Sequence, residues 1–71
     1  MTRYRTEATV SLEFASGKSD AKRRHETIVY ELAELVRGCE NVEIDATTVA
    51  VKDSKPDIGT THYEGPGVGE G

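Results

Sequence analysis

Gly17-Lys18-Ser19 stands where an alternating apolar pattern gives way to a helical one, the place a phosphate-binding loop would occupy. Such a loop needs a further glycine five residues before Gly17, so that successive N–H groups can curve around the phosphate. That position is Leu12, in mid-alternation, and a nucleotide-hydrolysing loop is excluded. What remains is basic: Lys18, Lys22, Arg23 and Arg24 crowd the start of a helix, where free N–H groups already carry positive partial charge. The cluster suits phosphate or a carboxylate-rich partner. A solvated basic turn relieved by Glu26 would have the same composition.

Metal and nucleophile chemistry find less to work with. His25 has Ile28 and Val29 at i+3 and i+4, so its helix face supplies no second ligand, and a neutral histidine packed at a core edge is the expectation. His62 lies far along the chain in a glycine-rich stretch, and Cys39 is the single cysteine. A lone cysteine makes no internal disulfide, and beside the negative end of a helix dipole its thiolate is disfavoured. No serine sits in a strand-turn-helix nucleophile context. The expectation is therefore no catalytic residue, no metal and no cofactor.

The elements that must position these side chains are read from periodicity. Between Ser19 and Arg37, Ala21, His25, Ile28, Val29, Leu32, Leu35 and Val36 fall within about 120° of one another at 100° per residue, the pattern of an amphipathic helix. Ser19 or Asp20 is the expected N-cap, and Gly38 suits the left-handed position beyond the last turn. Before the helix, Tyr4, Thr6, Ala8, Val10, Leu12 and Phe14 alternate with Arg3, Arg5, Glu7, Thr9, Ser11 and Glu13, which predicts a strand with one wet face.

After the helix the apolar phase jumps from Val42 and Ile44 to Val49 and Val51. A hairpin turning at Ala46 and Thr47 would put all four on one face, although its turn lacks the usual Asn-Gly or Gly-Gly; a single bulged strand is the alternative. Residues 54–71, rich in Gly and Pro, read as a flexible tail, in which Ile58 to Tyr63 could add a short strand to an open edge.

The predicted fold is α+β in the order β-α-β-β: one helix on a small three-stranded sheet, with residues 1–53 as the domain. Its core would comprise Val10, Leu12, Phe14, Ile28, Leu32, Leu35, Val42, Ile44, Val49 and Val51. The order resembles the first three-quarters of a ferredoxin-like fold, a likeness of topology that implies no activity.

With 71 residues, 35% apolar and 31% charged, such a domain is marginal alone, which favours self-association. Its charge is divided: residues 1–25 have a net of +3 and residues 26–71 a net of −7. Tyr30, with Arg23 and Arg37 beside it on the outer helix face, and Tyr63 in the tail are the expected protein-contact residues. Nucleic acid is a lesser candidate, because the aromatics of the first strand, Tyr4 and Phe14, face the helix rather than the open sheet, and the total charge is acidic. No apolar run is long enough for a bilayer, and no leader pattern opens the sequence, so a cytoplasmic protein is expected.

The arrangement of residues 3–52 resembles small accessory proteins of bacteriophages. That likeness implies a non-enzymatic protein-protein interaction module, a homodimer or part of a larger assembly, in the host cytoplasm or the virion. Length and element order are also similar to the dodecins, which implies a small-ligand storage shell, but dodecins stack a flavin on a Trp and this chain has none.

Overall fold

The computed structural model describes residues 1–52 and 55–68, and contains three elements: helix α1 (Lys18–Leu35), strand β1 (Val42–Ala50) and strand β2 (Lys55–Gly65). The two strands pair antiparallel as a two-stranded sheet, from Val42 opposite Gly65 to Thr48 opposite Gly59. An irregularity between Thr48 and Ala50 shifts the register before Ala50 meets Lys55. Burial alternates accordingly. Val42, Ile44, Ala46 and Thr48, with Gly59, Thr61 and Tyr63, face the helix, while Glu43, Asp45, Thr47, Thr60, His62 and Glu64 face solvent.

Three expectations about the strands are corrected. The chain does not turn at Ala46 and Thr47: β1 runs straight through them, and the bulge near its end, rather than a hairpin, absorbs the phase jump between Ile44 and Val49. Residues 55–65 of the supposed tail are β2: the short added strand expected at Ile58–Tyr63 extends in both directions, because a strand nine residues long needs a neighbour. Ser54 and residues 69–71 of that supposed tail lie outside the described residues. Finally, Arg3–Phe14 forms no strand. Alternation marks one side as apolar but supplies no hydrogen-bonding neighbour, and among the described residues no backbone hydrogen bond ties residues 1–16 to anything.

The helix starts earlier than Ser19. Gly17 occupies the N-cap position with extended backbone and no side-chain cap, and its carbonyl accepts from the Ala21 N–H at 2.9 Å. At the other end Gly38 adopts φ 82°, the left-handed conformation expected of it. The chain closes against this turn through the Gly67 N–H, which donates to the Cys39 carbonyl at 2.8 Å.

The core is small. Ile44 is the one buried apolar residue among those described, at 8% exposure, and His25 is 5% exposed. Ala21, Ile28, Val29, Leu32 and Val36 are half-buried, whereas Leu35 is 80% exposed. Strands lie about 4.8 Å apart, so a two-stranded sheet is too narrow to cover an apolar arc of about 120° on a helix roughly 10 Å across. Leu35 is left on the uncovered flank. Val10, Leu12 and Val51, expected in the core, are also exposed. For Val10 and Leu12 the cause is the missing strand; Val51 falls in the turn after β1.

Candidate functional site

Each face of the sheet holds one histidine, and the two do different things. On the inner face His25 projects from the first half of α1 onto the strands. Its Nδ1 lies 2.9 Å from the Thr48 hydroxyl and its Nε2 2.9 Å from the Thr61 hydroxyl. A neutral imidazole donates through one nitrogen and accepts through the other, and a hydroxyl can serve either role, so both partners are satisfied in a site closed to water. Gly59 makes room for the ring: a Cβ at that position would stand 2.7 Å from His25 Cδ2. His25 is therefore a packed histidine, as expected, and its partners hold all three elements together.

On the outer face the antiparallel register sets Glu43 opposite Glu64 and Asp45 opposite His62. His62 Nδ1 donates to Asp45 Oδ1 at 3.1 Å. That hydrogen bond, reinforced by the charges of Asp45, Glu64 and Glu43, holds the imidazole pKa above its ordinary 6.5. Glu43, His62 and Glu64 also have ligand atoms within 4.8 Å of one another, the donor types that a divalent cation accepts, on a fully exposed surface. Ligand spacing along the sequence does not reveal this grouping, because Glu43 and Glu64 meet only across the paired strands. The alternation through Tyr63 marks the strand, but only the register brings the three side chains together. Chemically, the face is an acidic patch with one imidazole.

The basic cluster does not converge. Arg23 and Arg24 line an open depression of about 420 Å³ with Ser16, Asp20 and Thr27, and Lys18 and Lys22 are outside it. The Asp20 carboxylate stands within the depression, 3.8 Å from the Arg23 guanidinium. Arg24 lies over the Phe14 ring, 5.1 Å from its centroid.

The expected contact residues are dispersed. Tyr30 is exposed on the helix, and Arg37 pairs with Glu34 one turn earlier at 3.5 Å. Tyr63 is half-buried on the inner sheet face, and its hydroxyl donates to the Pro66 carbonyl. A second open depression of about 420 Å³ is mainly apolar, lined by Ile28, Leu32 and Leu35 with Arg24, Thr27 and Glu31.

Among the described residues, no helix is long and apolar enough to cross a membrane. The chain matches no family model, no curated protein and no solved structure.

Proposed function

We propose that this chain is a non-enzymatic protein-protein interaction module. It acts as a homo-oligomer or a component of a larger assembly, and it binds through an open strand edge and the outer helix face. The observation that carries this reading is the unpaired state of residues 1–16: their backbone forms no hydrogen bond to other described residues, although their side chains alternate as a strand's do. Among the described residues the two-stranded sheet has two open edges, the usual template for strand addition. Tyr4, Val10, Leu12 and Leu35 remain exposed while only Ile44 is buried among the apolar residues described, and burying such a side chain contributes about 1.5–3 kcal/mol. A third strand added to this sheet would complete the β-α-β-β arrangement and supply the missing cover.

Light scattering across a range of protein concentrations tests the reading. An oligomer that dissociates on dilution into a folded monomer is expected. A chain that is monomeric throughout and captures no protein partner would overturn it. Contact through the basic helix start to a nucleic acid would instead show as binding lost steeply between low and moderate salt.

A further inference from the structure

The interaction reading leaves open which strand edge is used and what is added to it, and the sequence together with the register of the sheet favours one arrangement. Resting on that reading, we infer that two copies of this chain exchange their N-terminal segments, each adding residues 4–14 antiparallel to the free edge of the other's β2, with Tyr4 opposite Gly65 and Phe14 opposite Lys55.

Length is the first argument. β2 is eleven residues long, and Tyr4 to Phe14 is eleven residues. In this register the added strand spans β2 from end to end, and Pro56 withholds a single donor from the ladder.

The faces agree. Thr6 and Ala8 come opposite Tyr63 and Thr61, whose side chains lie on the helix side, and Val10 comes opposite Gly59, where no side chain competes for space. The apolar row of the segment then continues the inner face beyond β2. A register one residue off would turn Val10 and Leu12 to water.

Charge is the third argument. On the outer face Arg5 comes opposite Glu64, within the acidic patch of Glu43, Asp45 and Glu64, and Glu7 comes opposite the His62 imidazole. The outer edge of β1 does not offer this. Setting Arg3 opposite Asp45 and Arg5 opposite Glu43 brings Thr6 to Val42, and residues 7–14 run past the start of that strand.

Within one chain the segment is held otherwise. Arg3 pairs with Glu40 at 2.6 Å and Arg5 with Glu7 at 3.4 Å, exposed pairs weak enough to be exchanged for a ladder, and the half-buried Phe14 lies under Arg24, 5.1 Å from ring centroid to guanidinium. Reciprocal exchange closes a two-fold dimer in which neither segment is left over.

Disulfide trapping tests the register in the full chain. In a Cys39→Ser background, Thr9→Cys and Thr60→Cys variants are prepared separately, mixed and oxidised mildly. These positions come opposite each other, within the Cα separation a disulfide spans. A cross-linked 9–60 heterodimer is expected, while Thr9→Cys mixed with Thr47→Cys, one strand further away, gives none. Arg5→Glu weakens the dimer about threefold to tenfold, and mixing it with Glu64→Arg restores it. A chain that is dimeric by light scattering but yields no 9–60 link would sink the exchange and leave the interaction reading standing. A double Thr9→Cys, Thr60→Cys variant that closes within a monomer would sink the exchange as well. A protein that stays monomeric at every concentration and captures no partner overturns both.

Discussion

Arg3–Phe14 and Val42–Ala50 make an instructive pair. The first alternates apolar and polar residues through twelve positions and takes no part in a sheet. The second breaks its alternation after Ile44 and is nonetheless a nine-residue strand. The difference lies in the segment that comes next along the chain. β1 is succeeded within a few residues by a segment that can fold back on it, so its backbone groups are satisfied at the small entropic cost of a short loop. Arg3–Phe14 is succeeded by a helix, and its partner must come from farther off. Alternation specifies a face; proximity along the chain specifies a neighbour.

The contrast can be broken most directly at Ile44. Ile44→Asp places a charge at the one buried apolar position described and is expected to cost about 3 kcal/mol or more, enough to abolish the helical signal in circular dichroism. A folded Ile44→Asp variant would mean that the body is held together elsewhere. Gly59→Val drives a side chain into His25 and should destabilise by about 1–3 kcal/mol in urea unfolding. Thr61→Val removes one hydrogen bond from the buried ring and should cost about 1–2 kcal/mol. Val10→Ser, in the unpaired segment, should change the stability of the dissociated monomer by less than about 0.5 kcal/mol in the same assay. A loss at Val10 as large as that at Thr61 would show that the segment already belongs to the monomer's core.

The smallest effect concerns His62. Because its folded pKa is raised above 6.5, its contribution to stability is full below about pH 6.5 and is lost as pH rises through the higher folded value. Side-chain NMR titration should place its midpoint above 6.5, and Asp45→Asn should lower it, since the Asp45 hydrogen bond is the largest cause of the shift. An unchanged midpoint in that variant would separate the two residues.

Much of the helix was legible in the sequence, because seven apolar or half-apolar positions repeat at its period and Gly38 marks its end. The strands were harder. The jump between Ile44 and Val49 is absorbed by a bulge that periodicity cannot distinguish from a turn. Glycine and proline gave β2 the composition of a tail, although Gly59 is there to admit the His25 ring, a requirement visible only once helix and strand are placed together. The acidic patch depends on cross-strand pairing and could not be read before the register was known.

The buried imidazole has a consequence for how the strands align. Sliding β2 along β1 by two residues would leave every side chain on its original face, so hydrophobicity alone would penalise the slip only weakly. His25, grasping one hydroxyl on each strand, would lose at least one of them in any such slip. A ring that contributes no apolar stripe of its own thereby acts as the pin that selects one alignment from several equally greasy ones.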